Sequence, residues 1–180
     1  MKIIAFTGMP CSGKSEAVKI AKEQDIPVIR MGDCIWEEVE SQGLDFNDRN
    51  VGKVANDMRK IHGKDIWAKR TLEKIKAFDK KNVIVIDGLR NPEEVDFFKQ
   101  KLGSEFVFVA VNASTETRRK RALSRKRKDD SMDVSVLEER DRRELSWGLG
   151  DVIKSADIII TNENGLDVFQ REIKEVLAKI

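Results

Sequence analysis

The sequence predicts an α/β protein: a five-stranded parallel sheet with helices on both faces, giving three layers, α/β/α. Three observations lead to it. Short apolar runs rich in Ile, Val and Phe recur along the 180 residues; polar segments with helical spacing separate them; and a turn carrying glycine and lysine stands between the first run and the first helical segment. Apolar runs that do not alternate with polar residues fit strands buried on both faces, and such strands lie parallel when helices connect them.

The elements follow in order. KIIAFT (2–7) reads as the first strand, GMPCSGKS (8–15) as the turn, and Ala17, Ile20 and Ala21 as the buried side of the first helix. IPVI (26–29), NVIVIDG (82–88), EFVFVAVN (105–112) and ADIIITN (156–162) supply four more strands. Val168, Ile173, Val176 and Leu177 give the C-terminal helix its apolar face. The polar stretches from about Gly32 to Lys81 and from Glu116 to Ser155 are too long for plain crossovers, so helical insertions are expected there. No internal repeat or low-complexity linker divides the chain, which is read as one domain with a core of 1–31, 82–115 and 156–180.

Composition excludes several classes. Lys plus Arg number 34 against 32 Asp plus Glu, a net charge of +2, so basic character is local. It is concentrated in ETRRKRALSRKRKDD (116–130), where eight of fifteen residues are basic. The N-terminal residues lack a signal peptide's apolar stretch, and no segment approaches the roughly 18 apolar residues of a membrane span, so a cytoplasmic protein is expected. Cys11 and Cys34 have no CxxC partner and His62 is the single histidine. Neither a disulfide framework, nor a zinc site, nor a catalytic triad follows.

The turn carries the chemistry. GMPCSGKS fits G-x-x-x-x-G-K-[ST] in full, in the strand-to-helix setting that a phosphate loop requires. Gly8, Met9, Pro10, Cys11, Ser12 and Gly13 are expected to curl their N–H groups around phosphate oxygens, Lys14 to reach the β and γ phosphates, and Ser15 to help hold Mg²⁺. Asp87, ending the third strand in VIVIDGLR, is the matching metal-anchoring carboxylate.

With these motifs the chain resembles the nucleoside monophosphate kinase group of phosphate-loop proteins, which includes adenylate kinase and dephospho-CoA kinase. It is similar, more closely, to an archaeal-type branch that carries TGMPxSGKSE, GD, RxDD and ELSWGxGxVI in this order. The resemblance implies an acceptor-binding insertion at about 32–81, opened by Gly32 and Asp33, with Arg90 also on the acceptor side. An acceptor-gripping arginine usually stands where this chain has Trp36; Arg30, Arg49 and Arg59 are candidate substitutes, with Arg49 read as a surface residue. It further implies a lid at about 116–155 whose Arg121, Arg125 and Arg127 face the donor, while Asn162 borders the nucleotide. At least one of Arg140, Arg142 and Arg143 is expected to join them.

The function implied is an ATP- and Mg²⁺-dependent kinase that moves a γ-phosphoryl group to a nucleotide-like acceptor, a nucleoside monophosphate or dephospho-CoA. Asp33 is the candidate base for a hydroxyl acceptor. An RNA-associated or regulatory ATPase is the alternative. Nucleic-acid binding is disfavoured because no aromatic residue interrupts 116–132 and the acid-bearing LEERDRREL follows. Arg118, Arg119 and Lys120 are read as an exposed helix face. Trp36, Trp67 and Trp147 are read as packing residues.

Overall fold

A computed structural model describes residues 1–78, 81–124 and 134–179. Its sheet has the order β2-β3-β1-β4-β5, formed by β1 (Lys2–Thr7), β2 (Val28–Arg30), β3 (Val83–Asp87), β4 (Phe106–Asn112) and β5 (Ile158–Thr161). All neighbours pair in parallel. All five predicted strands form. The second starts two residues later than its apolar run, because Ile26 is still tied to the end of the first helix by its N–H to the Ala21 carbonyl (3.0 Å). Pro27 has no N–H to donate, but its carbonyl accepts from Val85 N–H at 2.8 Å.

Parallel register sends alternate residues to opposite faces. Ile3, Ala5, Ile84, Ile86, Phe106 and Phe108 enter one core, and Ile4, Phe6, Val85, Val109 and Val111 the other. The second core is closed by α1 (Lys14–Glu23) and α9 (Leu166–Lys179) through Ala17, Ile20, Phe169, Ile173 and Leu177. The first is closed by α2 (Met31–Ser41), α3 (Asp48–His62), α4 (Ile66–Ile75), α5 (Pro92–Leu102) and α8 (Leu149–Lys154). Trp67 of α4 is fully buried there, donating its indole N–H to Ala55 O at 3.3 Å, as expected of a packing residue. Each predicted insertion is helical where described: α2 to α4 in the first, and α6 (Thr115–Ser124), α7 (Val134–Ser146) and α8 in the second.

Local sequence sets the ends of these helices. Asn47 caps α3 by accepting the Asn50 N–H, and Asn91 caps α5 by accepting the Glu94 N–H, with Pro92 at the first helical position. The chain builds β2 and β3 on one side of β1 and then β4 and β5 on the other, so the C-terminal ends of β1 and β4 open a crevice where ligands of such sheets bind. The loop from Gly8 to Gly13 follows β1 directly, and Gly8 lies against the Val111 carbonyl of β4.

Candidate functional site

The loop has the shape its residues predict. Gly13 has φ +111°, and a β-carbon there would collide with the Asn162 side chain; at Gly8 a β-carbon would strike the Val111 carbonyl. Cys11 is left-handed at φ +63°, and the Ser12 N–H closes the turn onto Met9 O at 3.0 Å. The result is a cradle of about 110 Å³ lined by residues 8–15 together with Arg90, Arg140 and Glu144. Ser12 Oγ, buried at its wall, has no hydrogen-bond partner within the protein. A phosphate oxygen would satisfy it. Lys14, the first residue of α1, forms an ion pair with Asp87, each side chain being less than one-fifth exposed.

Carbonyls on the outside of the loop are held by the rest of the chain. Arg121 donates to Ser12 O (3.0 Å) and to Asn162 O (2.8 Å), and the Asn162 amide donates to Ser12 O (2.9 Å). These two predicted nucleotide-binding residues therefore have their polar groups on the loop itself. Arg118, read from sequence as exposed, is 4% exposed. It makes a two-pronged ion pair with Asp141 of α7 (2.8 and 2.7 Å) and donates to Pro10 O at 3.2 Å. Helix α6 packs on both the loop and α7, a pairing across 23 residues that local charge density conceals. Arg119 and Lys120, on the other side of α6, are exposed as expected. Arg125 and Arg127 lie outside the described residues.

Beside the cradle lies a second cavity of about 280 Å³. Gly32, Asp33 and Arg90 line it, as does Trp36; Arg30 and Arg59 do too, whereas Arg49 is exposed elsewhere. Arg30 pairs with Asp33 at 2.7 Å and lies 5.1 Å from the Trp36 ring centroid, so arginine and tryptophan together form the outer wall. Trp36, nearly half exposed, is a cavity residue as well as a packing partner of Phe46. Of the three arginines on α7, Arg140 and Arg143 line the cavity and Arg142 points to solvent.

The inner wall is a chain of charges, all buried except the part-exposed Arg90. Arg59 donates to Glu94 (3.1 Å), Glu94 accepts the Arg90 backbone N–H (2.8 Å), and the Arg90 guanidinium pairs with Glu144. Arg59 also lies 4.9 Å from the Trp147 ring centroid, and the Trp147 indole donates to Asn56 Oδ1 at 3.0 Å. Burial pushes the Glu94 carboxyl above its ordinary range, against the pull of Arg59 and the Arg90 N–H. In Cys34, burial likewise raises the thiol, which contacts Thr71 and is an ordinary core residue.

Sequence reasoning missed Glu94, Glu144 and, apart from Arg59, the wall formed by α3. Val51, Ala55 and Arg59 line the cavity together because residues four positions apart share a helix face, and Gly52 lies beside them. That stripe was a readable signal. No sequence signal links Glu94 or Glu144 to their arginines, which come from distant segments.

Comparison with known proteins agrees with this geometry. Residues 7–138 match the AAA domain family. The UPF0200 protein of Methanosarcina barkeri is 46% identical over 178 residues, covering 99% of this chain and 95% of that protein. Among solved structures, a gluconokinase from Sinorhizobium meliloti superposes with a TM-score of 0.63 at 19% identity, covering 99% of this chain and 92% of that one. Shikimate kinase from Acinetobacter baumannii gives 0.56 at 15% identity, covering 99% and 94%. The three-layer α/β/α fold is thus one this chain shares with those two kinases, and by its sequence the chain belongs to the UPF0200 family and matches the AAA domain family.

Proposed function

We propose that this chain is a Mg²⁺-dependent small-molecule kinase that transfers the γ-phosphoryl group of ATP to an acceptor held in the arginine-lined cavity. One observation carries the reading: the phosphate cradle and the second cavity share a wall made of Lys14, Arg90, Arg140 and Glu144. Two compartments with a common cationic wall are what phosphoryl transfer needs, since the moving group crosses between them while its equatorial oxygens carry spread negative charge. Lys14 must leave Asp87 to meet the phosphates, and this frees the carboxylate. Ser15 and Asp87 then offer hard oxygen donors of the kind Mg²⁺ takes. One hydroxyl and one carboxylate suit an ion that arrives with the nucleotide's phosphates better than one caged by protein alone.

The insertion of α2 to α4 acts as the acceptor-binding part in this reading, and the segment from α6 to α8 as the lid. Arg125 and Arg127 are proposed to reach the donor from that lid, and Asp33 to orient the acceptor at the cavity's rim. A nucleotide-like acceptor, a nucleoside monophosphate or dephospho-CoA, fits a cavity with apolar Ile35, Val51 and Ala55 on one side and arginines on the other. The solved neighbours named as gluconokinase and shikimate kinase add hydroxy acids to the candidates.

The test is an acceptor panel with Mg-ATP: AMP, CMP, UMP, dephospho-CoA, gluconate, shikimate and single-stranded RNA. Acceptor-dependent ADP release with a phosphorylated product supports the kinase. Turnover stimulated by RNA alone would replace it with an RNA-associated ATPase.

A further inference from the structure

Glu144 stands where a carboxylate is hardest to explain by packing alone. Five acids line the acceptor cavity among the described residues: Asp33, Asp48, Asp87, Glu94 and Glu144. Only Glu144 also lines the phosphate cradle. Its side chain is 3% exposed and is fixed by the Arg90 guanidinium, which lines both spaces too. The other four have different duties or places. Asp87 holds Lys14, Glu94 is shared by Arg59 and the Arg90 N–H, and Asp48 pairs with Arg143. Asp33 sits at the outer wall with Arg30, 39% exposed and away from the cradle's lining.

A buried carboxylate at the crossing point favours one class of acceptor over another. A phosphate monoester gains nothing from this carboxylate, and the Arg90 guanidinium beside it is already engaged by Glu144 and not open to a second anion. A hydroxyl group brings a proton that the carboxylate can accept. We propose that Glu144 receives the proton of the attacking hydroxyl, so that the acceptor is an alcohol and not a phosphate monoester; this rests on the kinase reading above and narrows it.

The step balances without any further reactant. The acceptor oxygen bonds to the γ-phosphorus while the bond from that phosphorus to the bridging oxygen breaks, and the bonding pair leaves with ADP. The hydroxyl proton passes to Glu144 and goes to water when the site reopens. A strong base is not required, because in a loose transition state the hydroxyl becomes acidic only as its bond to phosphorus forms. Arg90 meanwhile keeps the carboxylate in one orientation. Asp33 binds the acceptor further out.

Water is the simplest hydroxyl acceptor and can serve as the probe. Slow hydrolysis of Mg-ATP by the full chain is measured as phosphate release, with ATP binding followed separately by calorimetry. Glu144→Gln keeps the shape and a hydrogen bond to Arg90 but cannot take a proton. It is expected to lower kcat about 100-fold while leaving the KM for ATP within about threefold. Glu144→Ala should lose as much and regain at least about tenfold on addition of formate, which restores a carboxylate to the gap; a purely structural glutamate gives no such rescue.

Hydrolysis by Glu144→Gln at or above the wild-type rate overturns the proposal, as does a Glu144→Ala variant that binds ATP but ignores formate. Rapid phosphorylation of nucleoside monophosphates by Glu144→Gln also overturns it while sparing the kinase. A wild-type chain that fails to bind Mg-ATP sinks the kinase reading itself and this inference with it.

Discussion

At the scale of single residues, the site is made from charges whose partners decide their worth. Lys14 faces the cradle and contacts Asp87, not the core, so Lys14→Ala should abolish ATP turnover, a loss of about 1000-fold or more, and leave the circular dichroism spectrum unchanged. Arg59 is the opposite case. It is 9% exposed, and removing it strands Glu94, which is fully buried. Breaking a buried pair by deleting one member costs about 3–5 kcal/mol, more than the pair itself contributes, because the remaining charge has lost its paired countercharge. Arg59→Ala should show that loss in denaturant melts at neutral pH. Its sign with pH follows from Glu94. With the carboxyl held above its ordinary value in the folded state, the folded protein binds the proton more tightly than the unfolded chain does. Stability therefore falls as pH rises from the ordinary carboxylate range through the raised value. The penalty of Arg59→Ala should thus be smaller near about pH 4 than near about pH 7; equal penalties would mean that Glu94 stays ionised without its partner.

At the scale of elements, α6 is the strut between the loop and α7. One turn of it places Arg118 on Pro10 and Asp141, and Arg121 on Ser12 and Asn162. Asp141 neighbours Arg140 and is followed by Arg143 and Glu144, so the Arg118–Asp141 pair fixes the rotation that turns those side chains toward the two cavities. A double-mutant cycle on Arg118→Ala and Asp141→Ala should give a coupling energy of about 1–3 kcal/mol in denaturant melts, and a value near zero would deny the strut. This element also marks where sequence reading stopped. The strands were legible because their apolar runs are uninterrupted, and the loop because its glycines and lysine meet a fixed spacing. Arg118 was read as exposed because basic density along a helix says nothing of which face meets a neighbour. Gly32 and Asp33 line one cavity beside the cradle together with Arg90, which is far from them in the chain. Glu94 and Glu144 stayed hidden because each gains meaning only from an arginine brought near by the fold.

At the scale of the whole molecule, the described cores lie on the two faces of the sheet, while the ligand spaces lie at its C-terminal edge between the loop, α3 and α7. Among the described residues no helix is long and apolar enough to cross a membrane. Nucleotide binding should therefore couple to stability through that edge alone. The loop carries contacts from α6 and from the segment after β5, so a ligand that orders the cradle stabilises parts of the chain more than 100 residues away in sequence. A ligand present at about 100 times its dissociation constant adds about 2.7 kcal/mol, and each kcal/mol moves the Tm of a domain of this size by about 2–4 °C. A non-hydrolysable ATP analogue with Mg²⁺ should then raise Tm by about 5–10 °C. Lys14→Ala should remove most of this rise because it deletes the loop's only lysine. Arg118→Ala should reduce it less, since that change loosens the loop's support while leaving its phosphate-facing N–H groups in place. A rise equal in all three proteins would mean that the nucleotide binds somewhere other than the cradle, and no rise in the wild type would remove the phosphate site altogether.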